Sequence, residues 1–143
     1  MKLYLAGPLF TTAERDFNAR LATRLRSAGH DVFLPQEQEP GSDGPGIFAT
    51  DVKGIDQAEA LVAIMDGPDP DSGTAWEVGY AYGREKPVVL VRTDIRAMAG
   101  AQGAYNPMLM QAATARVDLP AAAIPDIALA IITALSQIGR DTA

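Results

Sequence analysis

Residues 60–92 read ALVAIMDGPDPDSGTAWEVGYAYGREKPVVLVR. Two short apolar runs, ALVAIMD and KPVVLVR, flank an acidic Gly/Pro loop and a segment of helical character from about Thr74 to Glu85. Neither run alternates apolar with polar residues, so each reads as a strand covered on both faces. Strand, helix and strand in that order form the repeating unit of a parallel α/β sheet.

The rest of the chain continues the alternation. KLYLAG (residues 2–7) is an apolar run that stops at Gly7-Pro8, a strand entering a loop. Phe17, Leu21, Leu25 and Ala28 recur at helical spacing, which predicts a helix over Ala13–Ala28 ended by Gly29. DVFLP (31–35) is a second strand. The polar stretch QEQEPGSDGPG (36–46) is long for a compact domain and is a candidate substrate loop. A helix over Ile47–Ala58 precedes the third strand. Beyond the fourth lie an irregular segment, TDIRAMAGAQGAYNP (93–107), a short helix over Pro107–Ala113, a weak fifth strand ARVDL and a closing helix over Ile124–Ile138. The expectation is one α/β domain over 1–143, a five-stranded parallel sheet with helices on both faces.

The composition is 48% apolar and 21% charged, with mean hydropathy +0.02, as in a soluble globular protein. Twelve Lys and Arg against eighteen Asp and Glu leave a formal charge of −6, which disfavours nucleic acid polymers and anionic membranes as partners. With no cysteine, disulfides, thiolate metal sites and Cys nucleophiles are excluded, and one histidine, His30, is too few for a His-rich metal site. The N-terminal apolar run is too short for a secretory signal and no stretch has membrane-span length, so the expected location is cytoplasmic.

Parallel sheets bind ligands at the carboxyl ends of their strands. That rule selects the loops AGPLF, PQEQEP, DGPDPDSG and RTDIR, where the acids gather. Thr74-x-x-Glu77 fits a capping box, with Thr74 as cap. The same position offers Glu77 a second role: a first-turn carboxylate in the field of a helix N-terminus stays ionised and can attack an electrophilic carbon. Asp66, Asp69 and Asp71 are ordinary turn formers. Three acids around one loop could also hold a divalent cation, but their spacing matches no Ca²⁺ loop. Asp51 on its helix reads as a solvated face residue, and Tyr4 as a half-buried strand tyrosine. The chain lacks GxGxxG, Walker A and GxSxG patterns, so dinucleotide, P-loop and serine-hydrolase chemistry have no support.

YLAGPLF at Tyr4–Phe10, Asp51, DSGTAWEVGYA at Asp71–Ala81 and the following GREKPVVL together resemble the nucleoside 2-deoxyribosyltransferase family. The resemblance extends through RTDIR and YNPMLM to about Met110. The Gly-Thr-x-x-Glu core is shared with phosphoribohydrolases, which precede it with Pro-Gly-Gly where this chain has DPDS. The N-terminal motif and the Asp–Glu pair therefore carry the assignment.

This resemblance implies a flavodoxin-like sheet and a double displacement without cofactor or metal. Glu77 would be the nucleophile toward the anomeric carbon of a 2'-deoxynucleoside, with Tyr4 orienting its carboxylate. Asp51 and Asp71 would hold the base and manage its proton. Gly7, Pro8, Phe10, Gly73 and Met108, in the same matching segments, would contact substrate, and Asn106 would come from a neighbouring subunit of a homo-oligomer to grip a sugar hydroxyl. The implied partners are deoxynucleosides and free nucleobases.

The family's nucleotide-hydrolysing branch carries a Ser/Arg/Gly-rich phosphate loop after its first strand. Here that place reads GPLFTTAER, with only Thr11, Thr12 and Arg15 as phosphate contacts, which favours nucleosides over 5'-monophosphates. Hydrolysis of the sugar–base bond is the alternative reaction, and a non-enzymatic nucleotide-binding module the alternative class. A module has no need for Tyr4, Asp51 and Glu77 to converge.

Overall fold

The computed structural model describes residues 1–38, 43–95 and 105–141. Five parallel strands form its centre: β1 (Lys2–Ala6), β2 (Asp31–Phe33), β3 (Ala60–Ile64), β4 (Val88–Arg92) and β5 (Ala115–Asp118). Their order is β2-β1-β3-β4-β5, the flavodoxin-like order of a doubly wound sheet. Leu3 pairs with Ala60, Val62 with Val89 and Val91 with Val117. β3 and β4 are buried at every residue, which is why they read as unbroken apolar runs.

The helices are α1 (Thr12–Ser27), α2 (Gly44–Gln57), α3 (Ser72–Gly83), α4 (Pro107–Ala112) and α5 (Ile124–Asp141). α1 opens with a full capping box between Thr11 and Glu14, and Gly29, at φ +91°, turns the chain after it. α2 begins three residues earlier than the spacing suggests. Asp43 accepts from the Gly46 amide and Pro45 sits in the first turn, so GPG is helical rather than loop. A 3₁₀ turn at Pro35–Glu37 occupies the start of the polar loop; residues 39–42 of that loop, and 96–104 of the segment after β4, lie outside the described residues.

Strand alternation divides the core in two. Leu3, Leu5, Val62, Ile64, Val89 and Val91 face α1 and α5, while Tyr4, Ala6, Leu61, Ala63 and Leu90 face α2 and α3. The second layer is tight where α2 crosses β2. A Cβ on Gly54 would stand 2.7 Å from the Phe33 ring, and that ring stacks on Tyr4 at 5.2 Å between centroids. No described helix is long and apolar enough to cross a membrane.

Candidate active site

Three elements meet at the carboxyl edge of the sheet on the α2/α3 side. Tyr4 is fully buried on β1, and its hydroxyl donates to Glu77 Oε1 on α3 at 2.5 Å. Asp51, half-buried on α2, bears on the same hydroxyl through its charge and hydrogen bonding. Residues 4, 51 and 77 of the sequence thus converge on one point. Burial, and then the two neighbouring carboxylates, drive the phenol of Tyr4 far above its ordinary range, so it serves as a donor and not as a phenolate.

Glu77 is pushed up to about 7, first by burial. The Tyr4 bond opposes that rise, and the charges of Asp51 and Asp71 add to it. Asp51 is also raised by burial, with the Tyr4 bond opposing. Glu77 Oε2 accepts no hydrogen bond among the described residues, so one carboxylate oxygen is held and the other is available.

Two sequence expectations for Glu77 are corrected here. α3 starts at Ser72, and its cap is Asp71, whose Oδ2 accepts from the Thr74 amide at 3.0 Å and from Thr74 Oγ1 at 3.3 Å. Thr74 is therefore an N3 residue and Glu77 lies in the second turn, so the pair makes no capping box. Glu77 is also beyond the short reach of the helix-end field. Burial, which works against ionisation, dominates in its place.

The acids open onto a cleft of about 410 Å³ between α2 and α3, lined by Gly44, Ile47, Phe48, Asp51, Gly73, Trp76 and Glu77. Ile47 and Phe48 precede Asp51 by one helical turn, and Trp76 adjoins Glu77. Their apolar walls were not foreseen, although i−3 and i−4 spacing from Asp51 on a helix already places them on its face. The indole of Trp76 stacks on Tyr80 at 5.1 Å and meets Phe48 edge-on at 5.3 Å. Tyr80 and Arg84 are in turn fixed by Asp56. Among the described residues no Lys or Arg lines this cleft.

The remaining expected site residues separate into three groups. Gly73 lines the cleft, and Asp71 is the cap of the helix that carries it. Gly7 and Pro8 lie on the opposite side of the sheet edge, packed on Ile64 and Asn18. Phe10 is 74% exposed and Met108 80% exposed, and Asn106 caps α4 by accepting from the Met108 amide. None of these three lines the cleft of its own chain. Asp66 is occupied by the amides of Thr93 and Asp94 and the Thr93 hydroxyl, an arrangement that ties the loops after β3 and β4 together. Among the described residues no group of three His, Asp or Glu is arranged to hold a metal ion.

The family model of the nucleoside 2-deoxyribosyltransferases matches residues 3–124. The chain belongs to this family. The 2-deoxyribosyltransferase of the psychrotolerant bacterium Bacillus psychrosaccharolyticus is 26% identical, with a TM-score of 0.69 over 90% of each chain. The CMP N-glycosidase of Clostridium botulinum, at 16% identity, shares the fold, with a TM-score of 0.66 over 92% of this chain and 99% of that one. Ureaplasma parvum protein UU063 is 37% identical, in a match that spans 62% of this chain and 63% of the length of that protein. Deoxyribosyltransferase and N-glycosidase thus both occur among proteins similar to this one.

Proposed function

We propose that this chain transfers 2-deoxyribose between nucleobases by double displacement at Glu77. The observation that carries this reading is the Tyr4–Glu77 bond at the wall of an aromatic cleft that also holds Asp51. In the first half-reaction Glu77 Oε2 forms a bond to C1' of the deoxynucleoside as the C1'–N bond breaks. The bond's electrons go to the base nitrogen, and the departing base takes a proton, for which burial keeps Asp51 suited. Tyr4 fixes the other oxygen, so the attacking one is aimed. The product is a deoxyribosyl ester of Glu77 and a free base. A second base then attacks C1', returns a proton to the acid and releases the carboxylate.

The cleft supports this substrate class. Trp76, Phe48 and Ile47 offer apolar surface to a heterocyclic base, and the absence of basic side chains among the described lining residues suits an uncharged nucleoside. The convergence of Tyr4, Asp51 and Glu77 speaks against a purely binding module. Asn106 and Met108, exposed on α4, would complete the site of a partner subunit rather than that of their own chain.

Hydrolysis is the second reading, favoured by the likeness of the fold to that of a CMP N-glycosidase. Incubating one deoxynucleoside with a panel of free bases separates the two by chromatography. New nucleosides establish transfer; free base and deoxyribose in every tube establish hydrolysis, with water as second acceptor.

A further inference from the structure

α2 rests on the sheet through a narrow seam, for its buried residues are Gly54 and Ile55. Ile55 joins the apolar layer between the sheet and the two helices, whereas Gly54 presents bare backbone to the ring of Phe33 on β2. A Cβ at Gly54 would stand 2.7 Å from both Cε1 and Cζ of that ring and 2.9 Å from Cδ1. Carbon atoms in ordinary contact are about 3.5–4.0 Å apart. Glycine inside a helix is disfavoured against alanine, because it gives up more backbone freedom on folding. At Gly79 and Gly83 of α3 an added Cβ would meet nothing within 4 Å. At Gly54 the missing side chain is what lets the helix come down.

The Phe33 ring also stacks on Tyr4, with 5.2 Å between centroids and 14° between planes. Gly54 lies three residues after Asp51, so the two share one face of α2. A single contact thus joins the ring that backs Tyr4 to the helix that carries Asp51. Neither Phe33 nor Gly54 is among the residues that line the cleft.

We propose that Gly54 and Phe33 are positioning residues: the Phe33 ring, held between Tyr4 and the bare backbone at Gly54, sets how deeply α2 docks and so places Asp51 beside the Tyr4–Glu77 pair. The inference rests on the sugar-transfer reading and adds two residues that act through others. A methyl group at residue 54 leaves two ways to relieve the overlap. Either the ring gives way and the stack behind Tyr4 is lost, or α2 lifts and Asp51 withdraws with it. Both routes reach the site. They differ in sign at Glu77, where burial above all, with the charges of Asp51 and Asp71, raises the carboxyl and the Tyr4 bond lowers it. Lifting of α2 lowers the titration midpoint of Glu77; a misaligned Tyr4 raises it.

The test is a double-mutant cycle read on two observables. One is kcat for transfer from a deoxynucleoside, and the other is the titration midpoint of the Glu77 carboxyl carbon, followed by NMR without substrate. Gly54→Ala should lower kcat about 30-fold or more with KM changed less than about threefold, and move the midpoint by about half a pH unit or more. In a Phe33→Val background the atoms it would strike are gone. There the same substitution should cost kcat less than about threefold and leave the midpoint where Phe33→Val puts it. A folded Gly54→Ala with wild-type kcat and midpoint overturns the proposal, and so does an equal loss in both backgrounds. If Gly54→Ala does not fold, Phe33→Val decides: it should lose about tenfold in kcat and shift the midpoint, and wild-type values of both overturn the proposal. Absence of transfer by every protein, wild type included, counts against the sugar-transfer reading alone, because the midpoint is read without turnover.

Discussion

The two faces of this sheet come from the same strands and are chemically opposite. Toward α1 and α5, Leu3, Leu5, Val62 and Val89 belong to one apolar cluster that seals the layer. Toward α2 and α3, Tyr4, between those two leucines in sequence, carries a hydroxyl to the edge, where Glu77 and Asp51 wait. One face contributes stability. The other uses burial to raise two carboxylates above their ordinary range, which works against stability and toward reactivity.

The sharpest way to break this contrast is Glu77→Ala. If the α2/α3 face is the reactive one, sugar transfer should fall by about 10³-fold or more while the fold persists. Mass spectrometry of denatured wild type, after exposure to a deoxynucleoside alone, should find deoxyribose on the peptide holding Glu77. A folded and active Glu77→Ala protein would sink the assignment.

Next come two neighbours on β1 that point opposite ways. Tyr4→Phe keeps the stack on Phe33 and loses only the bond to Glu77, and kcat should drop about 10²-fold with little change in melting temperature. Leu5→Ala, on the sealed face, should cost about 2–5 kcal/mol of stability and leave activity per folded molecule near wild type. Exchange of these outcomes, measured by denaturation and steady-state kinetics, would mean that the division between faces is wrong.

The same contrast explains what could be read from the sequence. Strands β3 and β4 are legible to within two residues because burial on both faces removes every polar position, and Gly-Pro and Gly/Pro loops mark their ends. Helix starts were harder. At α2 and α3 the true caps are Asp43 and Asp71, and the Gly-Pro-Gly and Ser-Gly that follow them look like loop although they form first turns. That shift of three residues in the cap of α3, from Thr74 to Asp71, takes Glu77 out of the helix-end field and leaves burial as the main influence on its charge state. The meeting of Tyr4, Asp51 and Glu77 was not legible from spacing, since each is ordinary on its own element; the family motifs carried it. Phe48 and Ile47 were legible in principle, since the helix expected over Ile47–Ala58 already sets them one turn before Asp51, but nothing in the sequence says which helix face meets α3.

A smaller effect tests whether Asn106 works across subunits. Asn106 and Met108 are exposed on α4 and absent from the cleft of their own chain. If each site draws Asn106 from a two-fold partner, Glu77→Ala and Asn106→Ala should each be inactive. Unfolded together and refolded, they should recover about a quarter of wild-type activity, because half the dimers are mixed and each of these holds one intact site of two. No recovery, with mixed dimers shown to be present, would mean that each chain builds its own site.

The smallest effect asks what the reactive face costs. Glu77 holds its proton up to about pH 7 when folded, whereas an unfolded chain releases it in the ordinary carboxylate range. Below that range both states are protonated and the group contributes nothing to the pH dependence. As pH rises through that range to about 7, the unfolded chain binds fewer protons than the folded one, so wild type loses stability across this window. Glu77→Gln stays neutral and can still accept from Tyr4, so it should escape the loss. Denaturant titrations should find it more stable than wild type at pH 8, by up to about 3 kcal/mol, with the advantage shrinking toward pH 4. An advantage that did not change with pH would assign the cost to packing rather than to charge. A glutamine variant less stable than wild type at pH 8 would show that the ionised Glu77–Tyr4 bond outweighs the burial of the carboxylate, and the reactive face would then carry no stability cost.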